Sequence, residues 1–388
     1  MNEPKKDNAS VIIIDILKHA INKRASDVFI SPNFPPAIKI DGKVTPISSQ
    51  ALTPQHSREL VRAVMTERQA EEFDRTNEAN FAINPAGLGR FRVNVYREQG
   101  RIGMVLRKIT TEIPTIDSMQ LSPVLKDLSL ERRGLILFVG STGCGKSTSL
   151  AAMIDWRNAN LQEHIITVED PIEFVHQHKK SIITQREIGI DTENWQSALQ
   201  NSLRQAPDAI LIGEIRDQET MMSALQFAET GHLCLSTLHA TNANQALDRI
   251  INFFPEERHA QIWMDLALNL KAIISQRLIP RVVPSKENHS SRIAALEILL
   301  NSPHIQDLIF KSEVAHLKEA IARSNDYGMQ TFDQHLFDLY QDGIISYEDA
   351  MRNADSMNNL RLRIKLAEEG EKVVENQLDD FSEFDIDI

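Results

Sequence analysis

The chain has 388 residues, 42% hydrophobic and 25% charged, ordinary values for a globular protein and enough length for two or three domains around a sizeable core. Its net charge of −12 is uneven: residues 367–388 hold nine acidic residues against one Lys, so the rest is only mildly acidic, which argues against a protein built to coat nucleic acid. The two cysteines, Cys144 and Cys234, lack metal-ligand spacing; a disulfide framework or zinc site is not expected, and a reducing compartment fits.

At the start, MNEPKKDNAS followed by VIIIDILKHAI has the outline of a signal peptide. Asp15, Lys18 and His19 interrupt the apolar run, however, and no small-residue cleavage site follows. No stretch approaches the roughly 20 apolar residues of a membrane span, so a cytoplasmic protein is expected. Residues 11–23 read as a helix, 26–31 as a strand, Asn33-Phe34-Pro35-Pro36 as a break, and 37–47 as a hairpin turning at Asp41-Gly42. Helical patterns at 54–63 and 67–74 precede strands at 81–83, 89–96 and 102–108. These predict an α+β domain over residues 1–108. Residues 109–122, with Pro114 and then Pro123, have linker character.

From residue 123 the rhythm changes. All-apolar runs at 135–139, 165–168, 209–212 and 233–238 alternate with helical patterns, the mark of strands buried on both faces in a largely parallel sheet. From about Phe253 to 366 the pattern reads as helical throughout. The acidic tail, 367–388, reads either as a solvated, disordered end or as a peptide that docks on a partner.

Gly140-Ser141-Thr142-Gly143-Cys144-Gly145-Lys146-Ser147-Thr148 matches the G-x-x-x-x-G-K-[ST] phosphate loop, with a predicted strand before it and a helix after it. Glycines let backbone N–H groups turn inward around phosphates at a helix N-terminus that already favours anions. Lys146 adds a point charge and the Ser147 hydroxyl can ligate Mg²⁺, so ATP and Mg²⁺ are the expected cofactors. Cys144 reads as a small residue tolerated in the loop.

Three further boxes follow. Glu169, Asp170 and Glu173 stand at and just beyond the end of a predicted strand, where parallel sheets bind ligands, and can activate water or hold the metal. Ala209-Ile-Leu-Ile-Gly213-Glu214 resembles a Walker B strand that ends in Glu and brings a carboxylate near Mg²⁺. His232 and His239 flank the run 233–238; their separation is odd, so a continuous strand aims them at opposite faces, which disfavours a shared metal. His239, at the strand end, is a candidate polar contact to phosphate or to a neighbouring subunit.

In this order and spacing the boxes resemble the Walker A, Asp, Walker B and His boxes of the secretion ATPase superfamily. With Ala25-Ser26-Asp27, Gly89-Arg-Phe-Arg-Val-Asn94 and Tyr327-Gly-Met-Gln-Thr331, the chain is most similar to the PilT-like type IV pilus retraction ATPases. The resemblance implies a hexameric ring whose subunits pair a PAS-like N-terminal domain with a RecA-like ATPase domain, ATP binding between the domains. It also implies a PilT-like motor and an inner-membrane pilus platform protein as partners, and a peripheral place at the inner-membrane pilus machine. Residue by residue it implies Arg92 and Arg107 for phosphate contacts, Glu173 for water activation, Glu214 on the metal side, and His232 and His239 as the His box.

One departure bears on function. Where the main retraction motors read Ala-Ile-Arg-Asn-Leu-Ile-Arg-Glu, this chain reads His304-Ile305-Gln306-Asp307-Leu308-Ile309-Phe310-Lys311, so Gln306 and Phe310 replace both arginines. That resembles an accessory retraction motor. A pilus assembly or type II secretion ATPase would carry a paired-Cys zinc module and a larger N-terminal extension. A DNA translocase on the same core would carry a basic lobe, and nucleic acid is not an expected partner. A ring-forming adaptor with vestigial hydrolysis would not need Lys146 and Glu173.

Overall fold

The computed structural model describes residues 8–40, 42–109, 112–285 and 290–368. The acidic tail beyond residue 368 therefore lies outside the described residues, as does Asp41 of the predicted turn. The chain divides into two compact units: one up to Glu112, joined by 171–176 and 186–194, and a second formed by 113–170, 177–185 and 195 onward.

The first unit is built on six strands: β1 (Asp27–Ile30), β2 (Ala37–Ile40), β3 (Lys43–Pro46), β4 (Glu78–Ile83), β5 (Phe91–Glu98) and β6 (Arg101–Lys108). They form one antiparallel sheet in the order β3-β2-β1-β6-β5-β4. Alternation decides its faces: Phe91, Val93 and Val95 of β5 are buried while Arg92 and Asn94 are not. The buried face packs with α1 (Asn8–Asn22), α2 (Pro54–Arg62) and α3 (Glu67–Thr76) through Ile13, Leu17, Leu60, Val61 and Phe73. Local signals start these helices where expected. Thr53 caps α2 ahead of Pro54 at its first position, and Thr66 with Gln69 forms a capping box on α3.

The seven-stranded second sheet comprises β7 (Gly134–Val139), β8 (His164–Glu169), β9 (Ile182–Glu187), β10 (Ala209–Ile212), β11 (Leu233–Leu238), β12 (Leu270–Pro280) and β13 (Arg292–Leu300), ordered β13-β12-β7-β11-β10-β8-β9. Pairing from β12 through β7, β11 and β10 to β8 is parallel. Every residue of β7, β10 and β11 is buried, as continuous apolar runs require when helices cover both faces. The helices are α4 (Val124–Ser129), α5 (Lys146–Asn160), α6 (Trp195–Ser202), α7 (Gln218–Glu229), α8 (Ala243–Ile251), α9 (His259–Asn269), α10 (Pro303–Phe310), α11 (Leu317–Ala322), α12 (Phe332–Gln341), α13 (Tyr347–Asn353) and α14 (357–368). Ile116 and Leu121, in the segment expected to be a linker, are buried in this unit's core.

One expectation is corrected. The stretch after Phe253, read as helical throughout, contains β12 and β13, an antiparallel pair that partners residues from Ala272↔Leu300 to Pro280↔Arg292. Their sequences carry Leu, Ala, Gln and Glu, good helix formers. Burial decides against that preference, because seven successive residues of β13, Ile293 to Leu299, are buried. The C-terminal helices then pack on this pair: Phe332, Leu336, Leu339, Met351, Leu360 and Ile364 share a cluster with Ile279, Ile293 and Ala295.

Candidate active site

The phosphate loop leaves β7 at its carboxyl end, and α5 begins at Lys146. Gly140, Gly143 and Gly145 have φ of +152°, +77° and +89°, conformations that side chains resist. Space also matters at Gly140, where a Cβ would stand 2.5 Å from both Cys144 Sγ and the Gln276 carbonyl oxygen. Ser141, Thr142 and Gly143 are exposed, and Ser147 and Thr148 open the helix half-buried.

Lys146 is 8% exposed, and its Nζ donates to the carbonyls of Gly140 at 2.8 Å and Ser141 at 3.0 Å. No described carboxylate forms an ion pair with it. A buried ammonium resting on two neutral acceptors is under-compensated, and an anion at the helix N-terminus would complete its environment. Burial pushes the Cys144 thiol above its ordinary range despite the neighbouring Lys146. It stays a neutral thiol, as expected of a packing residue and not a nucleophile.

Sequence reading missed the side chain behind this loop. Gln276 lies on β12, one residue past the Ser275↔Val139 pair, and is 2% exposed. Its Nε2 donates to the Cys144 carbonyl at 2.7 Å, and its Oε1 accepts from Ser149 Oγ of α5 at 2.8 Å.

Glu169 and Glu214 stand at the same carboxyl edge, since β11, β10 and β8 follow β7 in order across the sheet. At the end of β8, Glu169 Oε1 accepts from Thr167 Oγ1 at 2.6 Å and from Gln185 Nε2 at 3.3 Å. Gly213 sits against it: its N–H bonds to the Val168 carbonyl at 2.8 Å, and a Cβ there would lie 3.3 Å from the Glu169 Cα. Thr237 Oγ1 donates to the Gly213 carbonyl at 2.8 Å, and Ser236 Oγ to that of Ile212 at 2.6 Å, so β11 holds the turn that presents Glu214. The Glu214 carboxylate is then gripped from both sides, by His239 Nε2 at 2.6 Å and Arg216 Nε at 2.5 Å. His239 thus meets Glu214 directly, a pairing that needs the β10–β11 adjacency and was not read from sequence.

His232 goes elsewhere. Its carbonyl accepts from Gly134 N–H at 3.0 Å, at the amino end of β7, so it stands at the opposite edge of the sheet from the phosphate loop. There Nδ1 lies 3.0 Å from Thr230 Oγ1 and 3.2 Å from the Phe227 carbonyl, and the ring packs edge-on against Phe227. A six-residue strand, roughly 20 Å long, separates this member of the His box from the loop of its own subunit. It lines a polar cavity of about 490 Å³ with Arg132, Glu163 and Asp208.

In the first unit Arg92 and Arg107 are direct cross-strand partners, and Arg107 also lies opposite Asp27. Two like charges facing each other repel. Asp27, 4% exposed, offsets part of this by accepting from Arg107 Nε at 2.7 Å and from Ser26 Oγ at 2.7 Å. The Arg107 side chain remains 70% exposed, which leaves its outer nitrogens open to an anion. Arg90, which sequence reading did not single out, pairs with Glu187 at 3.3 Å. Burial raises the Glu187 carboxyl above its usual range, opposed by Arg90. Glu173 belongs to this unit by its contacts and is exposed.

Residues 4–352 match the family of type II/IV secretion system proteins. The chain is 54% identical over 356 residues to the type IV pilus ATPase PilU of Pseudomonas aeruginosa, covering 92% of each. It is 39% identical over 347 residues to the type IV pilus retraction ATPase PilT of the same organism, covering 89% of this chain and 99% of that one. The crystal structure of the pilus retraction motor PilT with bound ADP superposes with a TM-score of 0.83 at 38% identity, covering 90% of this chain and 98% of that one.

Proposed function

The chain belongs to the type II/IV secretion system family and is an ATPase of its pilus-retraction branch, and from that premise we propose that it works as an accessory retraction motor, a homohexameric ring acting beside a PilT-like partner. Each subunit would join a PAS-like N-terminal domain to a RecA-like ATPase domain. The ring would sit in the cytoplasm against the inner-membrane pilus platform protein. The observation that carries the nucleotide reading is Lys146, a buried ammonium on two loop carbonyls at a helix N-terminus.

Mg²⁺ bound with nucleotide typically takes one or two protein oxygens and completes its shell with phosphate and water. Ser147 and Glu214 are the donors that fit, and the ion would neutralise charge on the phosphates. Lys146 shares that task. Glu173, exposed and with its carboxylate open, takes the proton from the attacking water; Glu169 is the weaker candidate because Thr167 and Gln185 already hold it. His239 and Arg216 keep Glu214 in one orientation. Arg92 and Arg107 stabilise charge on the transferring phosphoryl group.

The accessory role rests on α10, where Gln306 and Phe310 replace two arginines and Phe310 is 58% exposed, together with 54% identity to PilU. Retraction force measured in cells lacking this chain, with and without the PilT-like motor, tests it. Force should drop when this chain is lost and vanish when the PilT-like motor is lost. Retraction driven by this chain alone would overturn the accessory reading.

A further inference from the structure

We propose that Gln276 is a positioning residue for the phosphate loop, setting the direction in which the loop's backbone donors point. The peptide joining Cys144 to Gly145 is planar and trans, so its carbonyl and its N–H point in opposite directions. Gln276 Nε2 holds the Cys144 carbonyl at 2.7 Å. The Gly145 N–H is thereby turned away from the Gln276 amide. Left free, a glycine-hinged peptide can flip, and a flip would present the carbonyl to the phosphate where a donor is needed.

The second bond makes the hold directional. Gln276 Oε1 accepts from Ser149 Oγ of α5 at 2.8 Å, which leaves only the NH₂ edge of the amide facing the loop. Both neighbours are themselves buried, Ser149 at 1% and Cys144 at 5% exposure, so water does not compete for these groups. The backbone of Gln276 contributes as well, since its carbonyl stands where a Cβ on Gly140 would collide. Gln276 therefore bonds the loop at Cys144 and limits the residue at its other end to glycine, at Gly140.

The inference rests on the nucleotide reading, and ADP binding by the wild-type chain tests that reading separately. The near-isosteric Gln276→Glu puts a carboxylate oxygen against the Cys144 carbonyl, acceptor against acceptor. Gln276→Leu removes both bonds, and Ser149→Ala releases the amide so that it can turn over. ADP affinity with Mg²⁺, turnover and the melting temperature without nucleotide are measured on the full chain of each variant. Expected results are a roughly 10- to 100-fold weaker Kd for ADP in Gln276→Glu and Gln276→Leu, a smaller loss in Ser149→Ala, and a reduced rise in melting temperature on adding ADP. Below the melting temperature, adenosine itself should bind each variant as it binds the wild type, because it makes no use of the loop. Two results would overturn the proposal: wild-type ADP affinity in a folded Gln276→Glu or Gln276→Leu, or equal losses of affinity for ADP and adenosine. If Gln276→Leu fails to fold, Gln276→Glu alone decides between these outcomes.

Discussion

Replacing Lys146 with Ala separates what its ammonium does for the fold from what it does for phosphate. In the fold, the substitution removes two donations, at 2.8 and 3.0 Å, each worth about 1 kcal/mol net. It also removes a buried charge that no described carboxylate compensates, a change of opposite sign and similar size. The melting temperature should therefore move by no more than about 2–4 °C, the shift that about 1 kcal/mol produces in a unit of this size. Toward phosphate the balance is different. A unit charge about 3 Å from a phosphate oxygen, at an effective dielectric of about 20, interacts by about 5 kcal/mol. Expressed wholly in the transition state that is close to four decades of rate, and two decades if half is expressed. Phosphate release by the purified full chain at saturating ATP, corrected for the folded fraction, should thus fall by about 10²- to 10⁴-fold. Turnover within tenfold of wild type would refute the role given to Lys146.

Glu173→Gln should keep ADP affinity and slow hydrolysis by about 10² or more, the scale of a lost general base; turnover within a few-fold of wild type would move the role to Glu169. Arg92→Ala and Arg107→Ala should each lower turnover with little change in melting temperature, and Asp27→Asn should act in the same direction as Arg107→Ala but less strongly, because it loosens the guanidinium without deleting it. Unchanged kinetics in all three would leave the arginine row without a role in hydrolysis. His335, whose Nδ1 accepts from Leu296 N–H at 2.9 Å, has its pKa lowered by burial from 6.5 to about 4. Because the unfolded chain takes up this proton first, the stabilisation is complete above pH about 6.5 and is lost as pH falls toward 4, about 2 kcal/mol by pH 5. Urea unfolding at pH 7.5 and 5 should show this loss, and His335→Gln should flatten it; an equal pH dependence in the variant would assign the effect to other groups.

Local patterns carried much of the molecule. The turn at Gly42 and the four apolar runs of the second sheet are set by neighbours within a few residues. The phosphate loop was legible for the same reason: strand, glycines, Lys146 and helix are contiguous. What failed to show depends on distance along the chain. Gln276 meets Cys144 across 132 positions, and only the β12–β7 pairing brings them together. His239 was legible as a strand-end histidine, but its partner Glu214 stands in the turn after a separate strand. His232 and His239 were legible as the two ends of one strand, but the surroundings of His232, Thr230 and the Phe227 carbonyl, come from the preceding helix and its turn. β12 and β13 were hidden by helix-favouring residues that burial on both faces overrides.

The pairing of β12 with β7 contains a bulge: Leu270 partners Leu135 and Ala272 partners Ile136, so one extra residue is accommodated between them. Successive side chains on a strand point to opposite faces, and from Ala272 onward that extra residue decides which face each takes. Gln276 turns to the phosphate loop. Arg277 turns the other way, stacking on the Phe332 ring at 3.8 Å and pairing with Asp355 at 2.7 Å among the C-terminal helices. A slip of one residue would exchange the two side chains, setting a guanidinium against the loop and an amide against the helices. The strand should therefore accept changes of residue type more readily than changes of length. One residue inserted or deleted between Lys271 and Gln276 would detach the nucleotide loop and the C-terminal helices in a single event.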